Sequence, residues 1–193
     1  MDDIATVEGT RRASETPLKL DAAVIGDGVA GLYQLHLLRS QGLAVKAFDA
    51  ASDVGGTWYW NRYAGARFDS EGYIYQYLFS EDLYKGWSWS EKFPSQPEIE
   101  RWMHYVAYRL DLRKDIVFNT AIKSAHFNEA TGRWTVTTDR DQVIDAQFLV
   151  TCCGTLSAPL TSLPRTGDVP GEAGARQAAD VYEQARRKHD GTS

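Results

Sequence analysis

The residues in this chain best placed to do chemistry are glycines. Gly26-Asp27-Gly28-Val29-Ala30-Gly31 follows an apolar run, Leu20 to Ile25, and opens a segment, Ala30 to Gln41, in which Leu32, Leu35 and Leu38 recur at helical spacing. A glycine at 26 permits a tight strand-to-helix turn. One at 28 lets backbone approach a phosphate with no Cβ in the way, and one at 31 lets the helix pack close to the strand. The helix N-terminus then turns free N–H groups and the positive end of its dipole toward an anion. Val45 to Phe48 reads as a second short strand that stops at Asp49, about 20 residues beyond the glycines, where a carboxylate can accept hydrogen bonds from a ribose diol. The chemistry implied is dinucleotide binding, with NAD and FAD both open on these residues alone; a structural turn without ligand is the plain alternative. Asp27 is discordant, because it adds negative charge beside an anion site. A side chain turned to solvent would remove the conflict.

The strand, helix and strand around these residues form a βαβ unit, the smallest parallel-sheet module. Further on, Tyr73, Tyr75, Tyr77 and Phe79 alternate and predict a strand with an aromatic face. Pro97 suits the first turn of a helix running to about Leu112, with Ile99, Met103, Val106 and Leu110 on one apolar face. Short strands are expected at Ile116–Phe118, Ala121–Phe127 and Trp134–Thr138. Val143–Asp145 would complete a small antiparallel meander, and a separate buried strand is expected at Phe148–Thr151. Residues 1–18, polar and without period, read as a flexible leader. Residues 19–159 read as the folded domain, and residues 160–193 as a linker and solvated tail helix.

Composition narrows the function classes. A formal charge of −5 offers no basic surface for nucleic acid. No apolar run approaches the ~20 residues of a membrane span. The adjacent Cys152 and Cys153 read as two small buried residues in a reducing cytoplasm. The four histidines stand without neighbouring metal ligands. Residues 58–93 hold 13 of the 23 aromatic residues, a density that points to a packed aromatic wall, around a flat ligand or around itself.

The tract Asp53-Val54-Gly55-Gly56-Thr57-Trp58-Tyr59-Trp60-Asn61-Arg62-Tyr63, followed by Gly65-Ala66-Arg67, resembles the flavin-binding stretch of the Baeyer–Villiger monooxygenases among the class B flavoprotein monooxygenases. The likeness continues through Asp69-Ser70-Glu71-Gly72-Tyr73-Ile74-Tyr75, Phe79-Ser80-Glu81, Trp87-Ser88-Trp89 and Gln96-Pro97-Glu98-Ile99, and closes at Gly154-Thr155-Leu156-Ser157-Ala158-Pro159. The resemblance implies an α/β, Rossmann-like FAD-binding domain with a parallel sheet and a small antiparallel meander. Gly26, Gly28, Ala30 and Gly31 would cradle the FAD pyrophosphate, and Asp49 would bind the adenosine ribose. Thr57, Trp58, Tyr59 and Trp60 would line the flavin, Tyr75 and Asp69 would approach its ring, and Ile122 would offer backbone groups near the adenine. Arg67, Phe68 and Asp69 match a stretch that in the family also meets NADPH, and the counterpart of Asp69 positions a catalytic arginine far downstream. The sequence departs from the family at Ala64, where Pro is usual, and at Phe68, where Cys is common.

In the family NADPH reduces the flavin, and O₂ then supplies the oxygen inserted beside a ketone carbonyl. No second Gly-x-Gly-x-x-Gly follows Gly31 in these 193 residues, and neither the family fingerprint Phe-x-Gly-x-x-x-His-Thr-x-x-Trp-Pro nor the downstream arginine is present. The chain therefore reads as a truncated FAD-binding portion that is not expected to complete the reaction alone. A small stand-alone flavoprotein or half of a split oxidoreductase completed by a partner chain remains open, as does a non-enzymatic Rossmann-like binding module.

Overall fold

The computed structural model describes residues 16–156. The strand expected from Leu20 begins two residues earlier, and β1 (Leu18–Ile25) runs directly into the glycine loop. Helix α1 (Val29–Ser40) starts after an extended Gly28 and ends before Gly42, whose φ of 79° suits a residue without Cβ. Strand β2 (Val45–Phe48) pairs in parallel with β1, Ala22 opposite Val45 and Ile25 opposite Phe48. Three short helical segments follow: α2 (Thr57–Trp60), α3 (Gly72–Tyr75) and α4 (Glu81–Lys85). Helix α5 (Gln96–Arg109) carries Pro97 in its first turn, where the missing N–H costs nothing. Strands β3 (Ile116–Val117), β4 (Ile122–Asn128), β5 (Arg133–Thr138) and β6 (Val143–Thr151) complete one six-stranded sheet in the order β3-β2-β1-β6-β5-β4.

Strands β3, β2, β1 and β6 run parallel, while β5 and β4 are added antiparallel. β1 is buried on both faces. Ala22 and Val24 meet Leu32 and Leu35 of α1 and Trp102, Met103 and Val106 of α5. On the opposite face Ala23 joins Phe48, Val136, Ile144 and Ala146. The apolar periodicity of both long helices is thus spent on one face of the sheet, and Leu38 and Leu110 pack at its margin.

Two expectations are corrected. The meander's third strand and the final parallel strand are a single element, β6, whose first half pairs with β5 and which pairs with β1 from Leu18–Ile144 to Ile25–Thr151. The adjacent exposed residues Gln147 and Phe148 interrupt its alternation without breaking the ladder, so the pattern resembled a gap. The alternating aromatics do not form a strand either. Tyr73 and Ile74 face solvent at 54% and 61% exposure, Tyr75 and Tyr77 turn inward, and the first three residues of the stretch wind into α3. A Cβ at Gly72 would lie 2.8 Å from the Trp89 ring and from Pro94, so the turn is pressed against those side chains with no strand alongside to pair with. The expected leader (residues 1–18, of which 16–18 are described) and the tail helix lie essentially outside the described residues.

The aromatic segment is a wall built around Trp102, which is 1% exposed and packs on Tyr75, Tyr77 and Trp89 with ring centroids 5.2–6.3 Å apart. Trp102→Ala should therefore lower the free energy of unfolding by about 3–5 kcal/mol, the usual cost of emptying an aromatic core site. Urea denaturation of the two proteins measures it, and a loss below about 1 kcal/mol would show that the wall does not depend on this ring.

Candidate cofactor site

The carboxyl ends of β1, β2 and β6 meet at the glycine loop, the crevice where open α/β sheets hold ligands. Gly26 turns the chain at φ 101°, and a Cβ there would stand 2.5 Å from the Cys152 carbonyl oxygen. A Cβ on Gly31 would overlap the Gly26 carbonyl outright. A second pair of glycines closes on the first: a Cβ on Gly56 would lie 2.7 Å from the Gly28 Cα. These positions are demanded by the protein's own packing.

Gly28 is different. Its φ of −67° and ψ of −167° are open to any L-residue, and a Cβ would meet only the Gly56 Cα, at an ordinary 3.4 Å. Nothing in the protein's own packing requires glycine there, and its absence of a Cβ leaves room for a group from outside to approach the backbone. The space adjoins the first turn of α1, which holds no acidic residue and whose N–H groups no side chain caps. Uncapped amides, a dipole end and a missing Cβ together fit an anionic diphosphate.

Asp49, at the end of β2, ties this region together. One carboxylate oxygen accepts the Asp27 N–H at 3.0 Å and the other the Ala51 N–H at 2.7 Å. Acceptor capacity remains on this carboxylate beyond these two bonds, which a ribose hydroxyl can use. The Asp49 carbonyl accepts the Thr120 N–H at 2.8 Å, which brings the start of β4, with the half-buried Ile122, alongside this end of the crevice.

The Asp27 side chain does not reach solvent, contrary to expectation. It is fully buried, and neither carboxylate oxygen has a hydrogen-bond partner among the described residues. Burial foremost, and then the charge of Asp49, push its carboxyl up to about 9, so it is neutral at physiological pH. The closure of Gly55 and Gly56 over the loop is what buries it, and composition held no sign of that.

The expected flavin-side residues fall into three groups. Trp58, Phe68 and Tyr75 form one aromatic cluster: Phe68 stands edge-on to Trp58 at 5.0 Å, and the Trp58 indole N–H donates to the Tyr75 hydroxyl at 3.1 Å. Thr57 opens α2 beside this cluster. Tyr59 and Trp60 pack edge to face at 4.8 Å, but the Tyr59 hydroxyl lies 2.8 Å from the Ser52 hydroxyl, so this ring braces the loop. Arg67 and Asp69 are exposed. Arg67 pairs with Glu91 at 3.2 Å, and Asp69 makes no hydrogen bond among the described residues. Sequence reasoning gave no role to Gln96, whose carboxamide donates to the Trp58 carbonyl at 2.5 Å and to Glu100, nor to Tyr77, whose hydroxyl donates to the Val29 carbonyl at the start of α1. Cys152 is only half-buried and Cys153 is exposed, not the buried pair expected, and both are free thiols. Among the described residues no cluster of metal-ligating side chains occurs.

A sequence profile described as flavin-binding monooxygenase-like matches residues 19–173. The chain belongs to this family. Acetone monooxygenase (methyl acetate-forming) of Gordonia sp. (strain TY-5) is 68% identical over 154 residues, 79% of this chain and 29% of that enzyme. A solved structure described as oxidized steroid monooxygenase bound to NADP superposes with a TM-score of 0.72 at 52% identity, covering 75% of this chain and 28% of that one. A structure described as OTEMO in complex with FAD and NADP gives 0.70 at 41% identity, over 78% and 28%. The chain thus spans less than a third of the length of the relatives it matches. Among the described residues no helix is long and apolar enough to cross a membrane.

Burial of Asp27 has a consequence for stability. The carboxyl ionises near 3.8 in an unfolded chain and near 9 in the folded one, so between those values the folded protein holds a proton the unfolded chain has released. Stability from this group is complete below the lower value and is lost as pH rises through the window. Asp27→Ala should therefore be more stable than the parent near neutral pH, by the ~1–3 kcal/mol that an unpaired buried polar group costs. Its thermal midpoint should also vary less from about pH 5 to about pH 8. Parallel midpoint curves for the two proteins would place Asp27 in water.

Proposed function

We propose that this chain is the FAD-binding portion of a Baeyer–Villiger-type monooxygenase, acting in the reducing cytoplasm. The observation that carries the reading is Gly28, a glycine the protein's own packing does not need, set against uncapped helix amides. In this reading the amides of Val29, Ala30 and Gly31 hold the pyrophosphate and Asp49 holds the adenosine ribose, with the backbone near Ile122 beside the adenine. Thr57, Trp58 and Tyr75 border the flavin, Tyr59 and Phe68 brace that border from behind, and Trp60 closes it.

The flavin, when bound, would supply the redox and oxygen-transfer chemistry. The protein's residues bind and orient it, and the Trp58–Phe68–Tyr75 cluster keeps water from one side. Arg67 and Asp69 lie exposed beside that cluster, open to NADPH and to a cation from elsewhere in the assembled enzyme. The reaction assigned to the whole enzyme is NADPH- and O₂-dependent conversion of a ketone to an ester or lactone.

Gly28→Val tests the cradle. The Cβ would meet only the Gly56 Cα, at 3.4 Å, and the branched carbons beyond it would compete for the space assigned to the pyrophosphate. The variant should keep the parent's circular dichroism and lose FAD affinity by at least about 100-fold, a cost of about 3 kcal/mol. Equilibrium dialysis against FAD measures it, and retention of the parent's affinity removes the cradle. Binding should also be non-covalent, since among the described residues no side chain stands in an identifiable attachment context: acid precipitation should leave all flavin in the supernatant, and colour in the pellet would contradict it.

A further inference from the structure

A buried carboxylic acid sits beside the place where the proposed cofactor brings two negative charges. Asp27 lies between the two glycine loops, fully buried, with both oxygens unpaired among the described residues. Its polar neighbours are few. The Asp49 carboxylate faces it from the end of β2, and the Gly55 and Gly56 amides face it from the loop ahead of α2. At the end of β6, Cys153 faces Asp49, and burial and that charge push its thiol up, so it stays neutral at physiological pH. Among the described residues no cation contributes at Asp27. An ionised Asp27 would therefore put a second carboxylate beside Asp49, a charge buried next to the cradle proposed to take the diphosphate.

We propose that Asp27 is a cofactor-binding residue that works as a neutral acid, and that the flavin site accepts its diphosphate only while Asp27 holds its proton. The inference rests on the FAD-binding reading above and adds a proton to it: the cradle's anion selectivity comes from the α1 amides, and the acid form of Asp27 keeps that selectivity from being cancelled. Below about pH 9 the free site is already protonated, so affinity is flat and binding moves no proton. Above it each binding event takes up one proton, and affinity falls toward tenfold per pH unit.

The test titrates FAD into the full chain and into Asp27→Asn, following quenching of flavin fluorescence from about pH 6 to about pH 10.5. The expected result is a parent affinity that is level and then falls by about tenfold or more across the alkaline end, with the asparagine variant level throughout. Loss caused by ionisation of the flavin itself would appear in both proteins and cancels in their ratio. Infrared difference spectroscopy of the parent alone supplies an independent readout: a protonated-carboxyl band at neutral pH that disappears in alkali and is absent from Asp27→Asn. Equal pH profiles for the two proteins, or no protonated-carboxyl band in the parent, overturn this inference while leaving the flavin site intact. No flavin binding by the parent at the acidic end, where the cradle carries its proton, overturns the cofactor reading and this inference together.

Discussion

The close approach of four stretches of backbone at the carboxyl end of β1 is the constraint on which the rest of the molecule depends. Gly26 lies under the Cys152 carbonyl, Gly31 lies on Gly26, and Gly56 lies on Gly28, each too near for a side chain. That closeness lets α1 start directly behind the strand, with its first amides aimed outward. It also lets the loop ahead of α2 fold back over the crevice and ties the two halves of the nucleotide site together. A methyl group at Gly31 or Gly56 would have to push backbone, not a flexible side chain.

The same closure sets the electrostatics. A loop that brings Gly55 and Gly56 onto Gly28 shuts Asp27 away from water, and shutting it away makes it an acid. Asp49 remains the negative group at this end, its oxygens each holding one backbone N–H with acceptor capacity remaining on the carboxylate. One carboxylate and one carboxylic acid, side by side, thus receive different roles from their surroundings alone.

Much of this was legible in the chain itself. Helices α1 and α5 show because their apolar residues face one layer, so periodicity and burial coincide at Leu32, Leu35, Ile99, Met103 and Val106, while β1 and β2, buried on both faces, show as short apolar runs. The tract at Tyr73–Phe79 misled because Tyr75 and Tyr77 pack on Trp102 and Phe79 packs on Tyr33 and His36, side chains distant in sequence, with no ladder involved. The continuity of β6 was hidden by two adjacent exposed residues at its middle. In the site, glycine spacing and Asp49 were readable because their job is local. The burial of Asp27 was not, because only tertiary closure creates it, and an aspartate in a glycine-rich loop otherwise reads as a solvated turn residue.

The central claim is that the two glycine loops and the first turn of α1 form one flavin dinucleotide site. Amide hydrogen exchange of the full chain, read peptide by peptide with and without FAD, tests it most directly. FAD should slow exchange in the peptides covering residues 27–31 and 55–58 and leave the turn between β4 and β5 unchanged. Slowing confined to other regions, or no slowing at saturating FAD, would contradict it.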